Sequence, residues 1–207
     1  MKLSPISLRR KGFTLVELLV VISIIVALAG VAFVTAQKAM NTARERPSQK
    51  DCADLALAIN NFIADHQGVL PVDSVVRMDK DKCITTSVED PSRLITILID
   101  REKGPELDRV NRTRKKYVSG AIVDNPKGGI FMNGRDAGLY DPWGKPYYVV
   151  LDADGDEEIQ DPTSKKERPI FSRVIVYGTG PDGTGSQLDH KILEPEFTED
   201  NVYSWKK

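Results

Sequence analysis

Lys11-Gly12-Phe13-Thr14-Leu15-Val16-Glu17-Leu18 opens an apolar run that continues to Val34, and the rest of the chain is read outward from it. The 22 residues from Phe13 to Val34 are interrupted only by Thr14, Glu17, Ser23 and Gly30. At about 1.5 Å per residue a helix of this length spans roughly 33 Å, enough for a hydrocarbon core of about 30 Å. Glu17 does not suit an ordinary anchor. Burying its carboxylate in lipid costs about 2–3 kcal/mol even on the lenient insertion scales. Such a residue calls for a partner, and nothing inside the run is expected to supply one.

The stretch Gly12-Phe13-Thr14-Leu15-Val16-Glu17-Leu18-Leu19, preceded by Arg9-Arg10-Lys11, closely resembles the N-terminus of type IV pilin-like proteins. That family includes type IV pilins and the pseudopilins of type II secretion. The resemblance implies cleavage after Gly12 by a prepilin peptidase and N-methylation of Phe13. It also implies that Glu17, fifth in the mature chain, neutralises the N-terminal amine of a neighbouring subunit. A plain signal anchor would account for the length and the flanking charge but would leave Glu17 unexplained. A cleaved secretory signal would use the small residues Ala27-Leu28-Ala29, yet the run exceeds the usual 7–15 residues of such signals and contains an acid.

The 207 residues allow one domain beyond the membrane segment, and a net charge of −1 gives no reason to expect nucleic-acid binding. Lys2, Arg9, Arg10 and Lys11 are the only charges before Phe13, and losing these four takes the net charge from −1 to about −5. They place the N-terminus in the cytoplasm and the head outside by the positive-inside rule. Cys52 and Cys83 are the only cysteines. In an exported domain they either pair, contributing about 3–4 kcal/mol, or remain two buried thiols.

Helix formers continue from Ala36 to Arg46, and Pro47 is expected to kink or briefly break the helix. Cys52, Leu55, Ile59, Phe62 and His66 then form an apolar stripe at alternating steps of three and four, with Gly68 as the stop. His66 reads as a packing or capping residue rather than a base. Residues 72–90 read as a loop, and Pro91–Ile99 as a short helix with Pro at its first position after an Asp cap. The basic run from Arg109 to Lys116 reads as a solvated face, or as a surface for an acidic neighbour in an assembly. Beyond it, Tyr117–Val123, Gly129–Met132, Pro146–Leu151 and Ile170–Tyr177 read as strands of an antiparallel sheet.

Two further stretches extend the resemblance. Tyr140-Asp141-Pro142-Trp143-Gly144-Lys145-Pro146-Tyr147 is similar to the Asp-Pro-Trp-Gly-x-Pro-Tyr segment of major pseudopilins. Its Asp, Pro and Gly suit a type I turn, with Trp143, Tyr147 and Tyr148 pinning that turn to the sheet. Tyr177–Gly185, with Asp189 and the ending Asp200–Trp205, resembles the family's glycine-rich Ca²⁺ loop. The resemblance implies Asp182, Asp189 and Asp200 as ligands, although Gln187–Glu199 looks inserted. Four glycines between 178 and 185 would let carbonyls turn inward toward an ion that needs six to eight oxygens. A second candidate is Asp152, Asp154 and Asp156, spaced as in the start of an EF-hand loop, but with Glu157 where that loop needs Gly. The alternatives at the two places are a mobile hairpin tip and an acidic turn.

No motif of a hydrolase, zinc protease or phosphate-binding enzyme is present, and the only histidines are His66 and His190. The expected fold class is α+β: a long N-terminal helix, its first half transmembrane, packed on a small antiparallel sheet with a glycine-rich C-terminal loop. Residues 1–12 would be a cleaved leader, 13–34 the span, 35–66 the exposed half of the helix and 67–207 the head. The resemblance implies a non-enzymatic subunit of a type II secretion pseudopilus, single-pass in the inner membrane with its head in the periplasm. Its partners would be other pseudopilins, the prepilin peptidase, the assembly platform and the secretion ATPase. Alternatives are a type IV pilin or minor pseudopilin of a pilus or DNA-uptake system, and an anchored Ca²⁺-binding module that never polymerises.

Overall fold

In the computed structural model, residues 14–73, 80–102, 109–162, 169–183 and 201–205 are described, so Gly12, Phe13, Asp189 and Asp200 lie outside the described residues. The chain divides into two units, 1–42 and 43–207. Helix α1 (Leu15–Asp65) runs through both. In the first unit the apolar side chains from Leu15 to Phe33 are exposed. Among the described residues α1 is the single helix long and apolar enough to cross a membrane.

Helix α1 passes Pro47 without the expected break. Pro47 is exposed, so the carbonyl it leaves without a donor can face water. Just beyond it, Ser48 and Asp51 are tied to the sheet by the Tyr147 hydroxyl, at 3.3 and 3.1 Å. Cys52, Leu55, Ile59 and Phe62 are buried, as their spacing predicts. The helix ends in a 6→1 bond, Gly68 N–H to the Ile63 carbonyl at 2.9 Å, around a left-handed Gln67. His66 packs there, stacked on Phe62 at 4.0 Å with Nδ1 2.9 Å from the Phe62 carbonyl.

The main sheet has the order β1–β5–β8–β9, antiparallel throughout: β1 is Lys82–Thr85, β5 Tyr148–Leu151, β8 Val174–Gly178 and β9 Val202–Tyr203. With α1 it makes the α+β fold that the sequence predicts. Side chains alternate between its faces. Ile84, Val149, Leu151, Val174 and Val176 face the helix and join Cys52, Leu55, Ile59 and Phe62 in the main core. Cys83, Tyr148, Val150, Ile175 and Tyr177 form a second cluster on the other side, with Tyr203 and Trp205 against it.

That alternation favours the second of the two alternatives for the cysteines, two buried thiols. Cys52 and Cys83 are both free and buried, one in each cluster, with the sheet between them. Burial pushes both thiols up, Cys83 to about 11, so neither is a ready nucleophile.

A second sheet orders β2 (Ile122–Val123), β3 (Gly129–Asn133) and β4 (Asp136–Tyr140), and β6 (Glu158–Gln160) pairs with β7 (Pro169–Phe171). The pair β2–β3 is parallel, contrary to a wholly antiparallel expectation, and only two residues of Tyr117–Val123 are strand. The run expected as one strand, Ile170–Tyr177, is split between β7 and β8 at Ser172–Arg173. Strand β1 lies inside the stretch read as a loop. Helix α2 covers only Leu94–Leu98, preceded by Arg93 in the left-handed region. Asp90 does not cap it. Its carboxylate instead accepts Ser92 N–H and the Thr85 N–H and hydroxyl.

Candidate functional site

Three places carry the sequence-based site residues. The first is the start of α1. Thr14 N–H donates to Glu17 Oε2 at 2.8 Å, the Thr14 hydroxyl donates to the same oxygen at 2.7 Å, and Glu17 N–H returns to that hydroxyl at 3.2 Å. These reciprocal bonds are a capping box, which satisfies donors at a helix start that have no intrahelical partner. The expectation that nothing inside the run could partner Glu17 is therefore corrected: Thr14 supplies hydrogen bonds, though no positive charge. The signal was legible as Thr-x-x-Glu before an apolar run, and the sequence reading passed over it.

The second place is the turn at Asp141. Gly144 N–H bonds the Asp141 carbonyl at 3.0 Å, with Gly144 at φ 93, and Asp141 N–H bonds the Lys145 carbonyl at 2.8 Å. Asp141 is fully buried, and its Oδ1 accepts the N–H groups of Trp143 and Lys145 at 2.9 and 2.8 Å. Oδ2 has no partner among the described residues, and burial raises the carboxyl above its usual range. Tyr147 does more than pin the turn: wholly buried, it reaches α1 through its hydroxyl. Tyr148 points the other way and stacks on Tyr177 at 5.2 Å.

The third place is the glycine-rich loop. The pairing of Gly178 with Val202 brings the loop's two ends together. A side chain at Gly178 would stand 2.9 Å from Val202 Cγ2, so the strands close only on glycine. Asp182 is exposed in the turn after β8. Next to it, a Cβ on Gly183 would lie 3.3 Å from Lys145 Nζ, so this loop sits against the Asp141 turn.

Of the second candidate set, two members converge. Asp152 and Asp154, just after β5, meet Asp81, just before β1, with one carboxylate oxygen from each inside 4.8 Å. The β1–β5 register, Lys82 opposite Leu151, brings them there. Asp156 turns onto Glu158 N–H instead, at 2.9 Å. Asp152 already accepts Gly155 and Glu157 N–H, at 2.7 and 3.1 Å. Partial burial, reinforced by Asp154, Asp152 and Asp156, pushes Asp81 up to about 6. Oxygen-only donors of this kind suit a hard divalent cation. Asp81 was missed because its segment carried no strand signal to place it beside Asp152.

Residues 7–33 match the prokaryotic N-terminal methylation motif. That match supports a type IV pilin-like protein. It covers the N-terminal segment alone, so the head is read from its own geometry. No curated protein and no solved structure matches the chain.

Proposed function

We infer that the chain is a structural subunit of a type II secretion pseudopilus, polymerising through its N-terminal helix to help move folded proteins across the outer membrane. The observation that carries the reading is Glu17, third residue of α1, as the one charge in its apolar stretch within the methylation-motif match. The pseudopilus, rather than a pilus, is favoured by the Asp141 turn, whose internal hydrogen bonds suit the Asp-Pro-Trp-Gly resemblance. The subunit is anchored by its first half in the inner membrane with the head in the periplasm, and has no catalytic role of its own. Calcium belongs to the same reading: the proposed ligands are Asp182, Asp189 and Asp200, with the aspartates after β5 as the second set.

Processing and assembly test it together. Mass spectrometry of the mature protein gives Phe13 as the first residue with one methyl group, and Gly12→Val leaves the precursor uncut. Glu17→Ala inserts and is cleaved normally, since a costly charge leaves the span. It forms no filaments when expressed with its assembly machinery, because the incoming amine has lost its counter-charge. Deleting the gene strands folded substrates in the periplasm. A mature N-terminus at Gly30, or normal helix-to-helix crosslinks along residues 13–46 in Glu17→Ala, overturns the reading.

A further inference from the structure

A groove of about 320 Å³ lies in the larger unit between α1, from Lys50 to Asn61, and the extended segment Tyr117–Ala121. Its charged lining is Lys50, Asp51 and Asp54, two carboxylates against one ammonium. Lys50 and Asp54 bond each other at 2.7 Å on the exposed face, a contact that water weakens. Asp51 is held differently. It is half-buried, its hydrogen-bond partner is the neutral Tyr147 hydroxyl, and it forms no ion pair among the described residues. Leu57 lines the same groove and is 60% exposed, the largest apolar exposure on this half of the helix. Opposite it, the backbone groups of Ser119 and Gly120 form no hydrogen bond among the described residues. The groove thus offers a half-buried anion, an uncovered leucine and free backbone.

The complement is on the same chain. In the basic run, Arg109 pairs with Asp100 at 3.0 Å and Lys115 with Asp65 at 2.8 Å. Arg112, Arg114 and Lys116 are exposed and form no ion pair among the described residues. An arginine suits such a groove: its guanidinium pairs with a carboxylate while its methylene stem covers apolar surface. We propose that the groove is an interface between copies of this chain and receives the run Arg112–Lys116 of a second copy, with Asp51 and Asp54 facing the cations and Leu57 covered by their stems. The proposal rests on the filament reading. Every copy carries both halves, and a polymer supplies the second copy at high effective concentration.

Two full-length chains with different tags, one carrying Leu57→Cys and the other Arg114→Cys, are expressed together with the assembly machinery and oxidised. Because Cys52 and Cys83 are buried, the added thiols dominate the crosslinks. The expected result is a disulfide between the two tags. It falls at least fivefold when the Arg114→Cys chain also carries Arg112→Glu and Lys116→Glu, and recovers when the Leu57→Cys chain then gains Asp54→Lys. Crosslinks along residues 13–46 with no 57–114 product overturn this interface and leave the filament standing. Absence of both removes the filament reading itself. Crosslinking of Leu57→Cys to a different protein in place of the second tag overturns the self-contact. So does a 57–114 product indifferent to the charge changes.

Discussion

The Thr14 hydroxyl donates to Glu17 Oε2 at 2.7 Å and accepts the Glu17 N–H at 3.2 Å, closing the start of α1 on itself. Within one chain the carboxylate is therefore hydrogen-bonded but meets no opposite charge among the described residues. Hydrogen bonds lower the cost of burying a polar group, whereas a buried charge also calls for an opposite one. The capping box keeps Glu17 pointed at the helix N-terminus, where, on the proposed reading, the amine of a neighbouring subunit would have to arrive.

Removing the hydroxyl tests the cap directly. Thr14→Val keeps the branched shape and loses the donor, and loss of such a cap costs about 1 kcal/mol. In full-length protein in lipid nanodiscs, amide exchange over residues 15–18 should speed up about fivefold, the equivalent of that energy. Thr14→Ser should exchange like the wild type. Equal rates in all three proteins would mean that the box contributes nothing to the helix start.

The parts of the fold that the sequence made legible are those with local periodicity. The stripe from Cys52 to Phe62 and the apolar runs of β5 and β8 are where spacing puts them. Strand β1 was invisible because the charged run Asp79-Lys80-Asp81-Lys82 leads straight into its two apolar residues, and only pairing with β5 makes it a strand. The fate of Asp81 follows, since its neighbours at 152 and 154 are some seventy residues away in the chain. The pairing of Cys52 with Cys83 could not be decided from composition, because it turns on which sheet face Cys83 occupies. Arg93 shows the same limit: it stands in the left-handed region and bridges Asp73 and Asp136, contacts that no local pattern announces.

Calcium is testable on a soluble fragment beginning at Ala43. A ligand that binds only the native state must raise Tm, by an amount that grows with its concentration. Asp182→Ala should remove most of that gain if the glycine-rich loop holds the ion. Asp154→Ala should remove it if the aspartates after β5 do. Identical melting of the wild-type fragment in Ca²⁺ and in chelator would exclude useful affinity at both.

Asp81 gives a pH signature that needs no metal. Its carboxyl is held near 6, against an ordinary value near 4, so the folded state keeps a proton that the unfolded state has lost. The resulting stability is fully present below pH 4 and is lost as the pH rises through 6. Asp81→Asn has no such dependence. Its Tm relative to wild type should therefore climb between pH 4 and pH 7, by the equivalent of about 1 kcal/mol at most, because the group is partly solvated. A flat difference across that range, in chelator, would show that burial and the neighbouring aspartates do not raise Asp81.

The Asp141 turn should be the most sensitive short segment of the head. Its Oδ1, on a fully buried side chain, holds two backbone N–H groups of the turn. Asp141→Ala leaves both donors without a partner, at a cost of about 2–4 kcal/mol. For a unit of this size that lowers Tm by roughly 5–15 °C. Asp141→Asn keeps an acceptor in the same place and removes a charge that burial already disfavours, so it should cost much less. The two side chains also differ in pH dependence. Because burial raises the Asp141 carboxyl, the stability it contributes is fully present below about pH 4 and fades as the pH rises through the folded-state value. The advantage of Asp over Asn should therefore be largest in acid and shrink toward neutral pH. Thermal melts of the Ala43 fragment from pH 3.5 to 8 measure both effects. An Asp141→Ala protein that melts with the wild type would mean that the turn holds its shape through the Gly144 and Lys145 backbone bonds alone, and that the aspartate is dispensable to it.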